Sequence, residues 1–212
     1  MIRLIFAFLL LALVSCGSQE EGATDADKYN DSAVKLNDSA VRMTMTFKPD
    51  SITYMKAVEL LDQASAIDSN YYLAYHHKIM FLFGAKQFDK ALVASKQIVR
   101  LSPNVPESYG RPGIICEILG DSVTAHTYFQ KAAELYKVRL DTMKSGTPDY
   151  DMMVMSQAVN LIMLGEAQKG NELMEASYAR QTDPVLKQSM DMFRGKSKWE
   201  IIEGIRDGDL GK

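Results

Sequence analysis

Three alanines, Ala57, Ala91 and Ala125, stand 34 residues apart, and Ile67, Leu101 and Leu135 repeat the same interval. Tyr75 and Tyr109 share it, as do Ser69 and Pro103. A fixed period of this length means that the chain is assembled from copies of one supersecondary unit, each needing its neighbours to bury its apolar faces. Within a period the apolar spacing is helical, and no stretch alternates as a strand would. Residues 71–104 predict a helix ending near Phe83, a short turn, and a second helix from about Phe88 to Leu101 that Pro103 stops. Residues 106–136 repeat the plan through Tyr109, Gly113, Gly120, Ala125, Phe129, Ala132 and Leu135. The expected fold class is all-α, made of antiparallel helix–turn–helix pairs.

Those residue types at that spacing resemble the tetratricopeptide repeat, most clearly over 72–105 and 106–139. The resemblance implies a superhelical solenoid. It places Tyr109 at the aromatic position of the first helix and Gly113 where the paired helices approach. Gly120 falls in the turn, and Ala125 and Ala132 fall on the second helix where it meets its neighbours. Departures from the pattern are Ile79 for a small residue, Ile98 for an alanine and Ser95 for a bulky residue. Pro112 lies inside a first helix, which it is expected to kink or delay because it lacks an N–H.

The flanks are less regular. Asn30-Asp31-Ser32-Ala33-Val34 recurs seven residues later as Asn37-Asp38-Ser39-Ala40-Val41, a heptad that predicts a helix over about 28–47. A second helix starts at Pro49-Asp50-Ser51 and ends at the Ser69-Asn70 turn. After the repeats, the helix from Ser122 should reach about Lys144, where Ser145-Gly146-Thr147-Pro148 breaks it. Gly165 matches Gly120 at a distance of 45, so eleven extra residues precede a fourth pair, Asp149 to Leu164 and Glu166 to Arg180. Asp183-Pro184 opens a capping helix with Leu186, Met190 and Phe193 on one face. Ser197 to Glu200 resembles a capping box for a closing helix whose apolar side holds Trp199, Ile201, Ile202 and Ile205, and the last seven residues should fray.

The chain opens with Arg3 and an uncharged run of eleven residues, Leu4 to Val14. That is too short to span a bilayer, which takes ~20 helical residues, and fits the apolar region of an export signal over 1–15. Leu13-Val14-Ser15-Cys16 resembles a bacterial lipobox. The resemblance implies cleavage before Cys16 and a lipid on its thiol. A disulfide to Cys116 is another use an exported chain has for that thiol. Cys116, however, lies in an apolar helical pattern, where a cysteine behaves as a small core residue. Residues 16–28 are small, polar and acidic and read as a tether reaching roughly 20 Å. Gly17, rather than Asp, after the cysteine resembles outer-membrane sorting, and Glu20-Glu21 resembles the export signal of surface lipoproteins. The leaflet it faces stays open.

Hydrophobic residues make up 47% of the chain and charged residues 24%, a composition that folds. Net charge is −3 with no Lys/Arg block, which argues against a nucleic-acid partner. No phosphate loop, GxSxG, CxxC or HExxH occurs, so neither catalytic residues nor a cofactor is expected. His76 and His77 are adjacent and diverge on a helix, so they form no metal pair, and His126 is isolated. What is left is surface. By the tetratricopeptide resemblance, the first helices line a protein-binding groove. One contributes His76, Met80 and Phe83, the next Arg111, Ile114 and Glu117, and the fourth Met152, Met155 and Val159. Methionines, an aromatic and scattered charges suit adaptable peptide docking. The expectation is a lipid-anchored adaptor of the cell envelope that docks a segment of another envelope protein without catalysis of its own. The alternative is a lipoprotein that captures a small ligand or glycan.

Overall fold

The computed structural model describes residues 28–45 and 49–210. The export signal, Cys16 and nearly all of the tether lie outside the described residues. Described helices number ten and there are no described strands, so the fold is all-α. The chain divides at Pro103 and Asn104 into two compact units.

The first unit holds α1 (Asp31–Thr44), α2 (Ser51–Ile67), α3 (Tyr72–Gly84) and α4 (Phe88–Leu101). Each packs on the next, and α1 also reaches α3. Asn30 caps α1 by accepting the Ser32 N–H at 2.9 Å, and Asp50 caps α2 by accepting that of Thr53 at 2.7 Å. The Thr53 side chain, and after it this backbone bond, hold the Asp50 carboxyl below its usual range. The two alanines of the heptad, Ala33 and Ala40, are the buried stripe of α1, together with Asn37. Asn37 Oδ1 meets His77 Nδ1 of α3 at 2.7 Å. In α2, Ala57, Val58, Leu61 and Ala64 are buried, an i, i+4, i+7 face.

The second unit holds α5 (Glu107–Ile118), α6 (Ser122–Thr142), α7 (Pro148–Met163), α8 (Ala167–Arg180), α9 (Pro184–Asp191) and α10 (Lys198–Asp207). Helices α5 to α8 pack in chain order, α9 lies on α8, and α10 returns to α5. Leu186, Met190 and Phe193 are all buried, as the spacing of the capping helix predicted. On the outer side, Tyr178 of α8 takes the Arg194 guanidinium at 3.9 Å and the Lys187 ammonium at 4.9 Å over its ring.

The period reappears as atomic detail in three turns. After α3, α5 and α7, three residues connect to the next helix. The N–H groups of Ala85, Leu119 and Leu164 bond to the carbonyls of Phe81, Ile115 and Asn160. Those of Lys86, Gly120 and Gly165 bond to Phe83, Glu117 and Ile162. Those of Gln87, Asp121 and Glu166 bond five residues back, to Leu82, Cys116 and Leu161, at 2.8–2.9 Å. This pattern satisfies the last carbonyls of each first helix and requires a left-handed residue in the middle. Gly120 and Gly165 supply it at φ +84° and +89°, but Lys86 supplies it at φ +55°. A side chain costs roughly 1–2 kcal/mol in that conformation. Lys86→Gly should therefore stabilise the chain by about 0.5–1 kcal/mol once the added freedom of the unfolded glycine is subtracted, read as a higher urea midpoint. A lower midpoint would mean that the Lys86 side chain holds the turn by contacts that its backbone geometry does not reveal.

The alanine series marks close approach within each pair. Ala57, Ala91 and Ala125 are fully buried. Gly170, 45 residues beyond Ala125, is the next member, and a Cβ there would stand 2.6 Å from the Ala158 carbonyl oxygen. Gly113 lies beneath Phe129, where a Cβ would come within 2.6 Å of the ring. At the equivalent positions of the preceding pair the bulk is exchanged: Ile79 and Ser95 are both buried there. The two departures from the repeat pattern are thus one compensated change of volume.

Two expectations are corrected. Pro112 does not delay α5, which runs from Glu107 to Ile118 with the proline inside it. One missing N–H costs one bond, and the ring is packed on a helix buried on nearly all sides. The C-terminus does not fray wholly either: Leu210 is buried and folds its side chain over Gly204.

Candidate functional site

The nine residues expected to line a groove fall in both units. In the first, His76 is buried in α3, its ring stacked on Tyr72 at 6.2 Å and edge-on to His77 at 5.5 Å. Met80 and Phe83 are half-buried, and the Phe83 ring meets Phe88 edge-on at 5.3 Å. Among the described residues no cluster of His, Cys, Asp and Glu has the makings of a metal site.

In the second unit the expected residues lie mostly inside. Arg111, Ile114 and Glu117 of α5 are buried, as are Met155 and Val159 of α7. Met152 is half-buried against the cluster of Ala132, Tyr136 and Met153. The tetratricopeptide resemblance assigned these residues to a common type of helix face, and it carried no information on what covers that face. For α5 the cover is α10. Lys198 Nζ donates to Glu117 Oε1 at 2.5 Å across 81 residues of sequence, and Ser122 Oγ donates to Glu117 Oε2 at 2.9 Å. The Glu117 side chain is fully buried, while Lys198 keeps about a quarter of its exposure. A buried carboxylate is tolerated where such partners satisfy it, and stranding it by removing one is costly.

Residues that the sequence did not single out form a second polar group within this unit. Glu107 is buried at the start of α5, and neither carboxylate oxygen reaches a hydrogen-bonding partner in another described residue. Burial pushes its carboxyl up to about 7, against its own backbone N–H and the pull of Arg139. Tyr136 is buried beside it, and burial together with the Glu107 charge holds the phenol well above its usual range. The Ser156 hydroxyl acts on that phenol in the opposite sense. On α7, Asn160 Nδ2 donates to the Phe129 carbonyl of α6 at 3.0 Å, tying the two helices together. Glu107 follows Pro106 and reads from sequence as an acid at a helix start, so nothing in the pattern revealed its burial. Its protonation range would serve acid–base chemistry, but its oxygens are enclosed. Cys116, next to Glu117, is likewise buried.

No helix among the described residues is long and apolar enough to cross a membrane. No protein-family model matches the chain, and no curated protein matches it.

Proposed function

We propose that this chain is a lipid-anchored docking protein of the cell envelope, built from tetratricopeptide-like helix pairs and binding a helical segment of another envelope protein. The observation that carries this reading is the turn that recurs after α3, α5 and α7 with the same three backbone bonds, its central residues Lys86 and Gly120 one 34-residue period apart and Gly165 displaced by the eleven-residue insertion. Such pairs are units of an array, and arrays of this kind present their first helices as a binding surface. The lipobox-like Leu13-Val14-Ser15-Cys16 supports attachment through Cys16, with the outer membrane as its site. The capture of a small ligand or glycan has less support. Trp199, the one indole of the chain, is 59% exposed rather than lining an enclosed site.

The test is cross-linking of the full-length, lipidated chain in the cells that make it, followed by identification of what purifies with it. One stoichiometric protein, diminished at least tenfold by Met80→Arg at the half-buried face of α3, is the expected result. Recovery of self-cross-links alone, or a partner indifferent to Met80→Arg, would overturn the docking reading as stated.

A further inference from the structure

We propose that α10 is a built-in occupant of the docking face of α5. The external partner of that face is then an amphipathic helix carrying a cation at one position and branched aliphatics three, four and seven residues later. The inference rests on the docking reading and specifies its partner. In α10 those residues are Lys198, Ile201, Ile202 and Ile205, all three isoleucines being buried. They fall on one face of a helix, which is the pattern by which helices are read in grooves. The cation is a requirement of the face. Glu117 is buried without exposure and takes its only described cation from Lys198, so a helix arriving without a positive charge would strand the carboxylate.

Helix α10 is also constructed as a separable piece. Its N-terminus is closed by its own capping box, Ser197 Oγ accepting from the Glu200 N–H and Glu200 Oε2 accepting from the Ser197 N–H. Its C-terminus closes on itself at Gly208, in the left-handed region, with the Gly208, Asp209 and Leu210 N–H groups all bonding to the Gly204 carbonyl. These bonds are internal to residues 197–210 and survive undocking. The approach to the helix is held elsewhere: Asn171 of α8 accepts the Gly195 N–H at 2.9 Å and donates to the Lys196 carbonyl at 3.4 Å. A released α10 therefore remains tethered beside the face it left, where it competes with an incoming helix at high effective concentration.

The test uses the full chain, a Lys198→Glu variant, the milder Lys198→Gln variant, and a labelled synthetic peptide of residues 196–210. Circular dichroism establishes that each variant remains helical. Hydrogen–deuterium exchange is expected to show α10 amides exchanging at least tenfold faster in Lys198→Glu, with α6 to α8 unchanged and Lys198→Gln in between. The peptide is expected to bind Lys198→Glu at least tenfold more tightly than the unaltered chain, and to lose that binding when the lysine it carries at position 198 is replaced by glutamate. If α10 exchanges only together with α6 to α8, or if the peptide binds regardless of its lysine, the proposal is overturned. A variant that dimerises by exchanging α10 overturns it in favour of a second copy as the occupant. Peptide binding without any cross-linked envelope protein would sink the envelope reading and leave this one standing, and the converse would do the reverse.

Discussion

Replacing Glu107 by glutamine is expected to stabilise the protein by about 3 kcal/mol at pH 8 and to leave it nearly unchanged at pH 4. The carboxyl titrates at about 7 in the folded chain and at 4.5 when unfolded, because burial penalises its charged form. Below 4.5 it is neutral in both states and contributes no penalty. Between 4.5 and 7 the folded chain retains a proton that the unfolded chain has released, so stability falls as pH rises through this window. Above 7 the loss is complete, at ~1.36 kcal/mol for each pH unit of the window. Glutamine fills the same space without a charge. Urea unfolding at pH 4, 6 and 8 reads the effect directly as a difference between parent and variant that grows with pH. A difference independent of pH would mean that the Glu107 carboxyl titrates alike in the folded and the unfolded chain, so that burial does not penalise its charge.

The other large effect concerns the Gly113 and Phe129 contact. Phe129 is 1% exposed and lies on Gly113, a residue of α5 that offers no Cβ. Phe129→Ser removes the ring and should cost 3 kcal/mol or more, the range of about 3–5 kcal/mol seen when a buried Phe is truncated. The new hydroxyl has a local acceptor, since Ser95, at the equivalent position, bonds to the Leu92 carbonyl at 2.8 Å. Gly113→Ile alone overpacks the same contact and should cost about 1–3 kcal/mol. The double variant recreates the Ile79 and Ser95 arrangement of the preceding pair. It should be more stable than Phe129→Ser by at least ~1 kcal/mol, a coupling that denaturation of all four proteins measures. If the two costs simply add, the exchange of bulk between the two pairs is coincidental.

This contact illustrates how far the sequence could be read. Gly113, Gly120 and the alanine series were legible because short-range geometry repeats wherever the local residues repeat. Ile79 and Ser95 were legible only as two separate irregularities. That they compensate depends on which residues face each other across a pair. Gly170 was hidden because the eleven-residue insertion shifts its register, and α6 uses part of that insertion to extend past Leu135. Glu107 and Lys198 escaped for another reason. Glu107 occupies a helix start, where an acid is favoured, so the local explanation was sufficient and concealed the tertiary one; Lys198 falls inside the Ser197–Glu200 capping box, a pattern that explains the cap and says nothing of the cation within it. Arg111, Ile114 and Glu117 of α5 read from the sequence as the lining of a groove, whereas the structure buries them, and the helix that meets Glu117 is encoded nowhere near it.

That distance has a kinetic consequence. The turns close loops of five residues, as from Asp121 back to Cys116, whereas the Lys198 to Glu117 contact closes one of 81. With loop entropy growing as the logarithm of length, the long closure is disfavoured by about 2.5 kcal/mol relative to a turn. Helix pairs formed from neighbouring residues therefore assemble early, and the return of α10 comes last. The order is the same for a chain emerging N-terminus first, since residues 198–210 follow everything they cover. Every newly made molecule thus passes through an interval in which α5 is already folded and its face still uncovered, and an encounter during that interval meets no competitor.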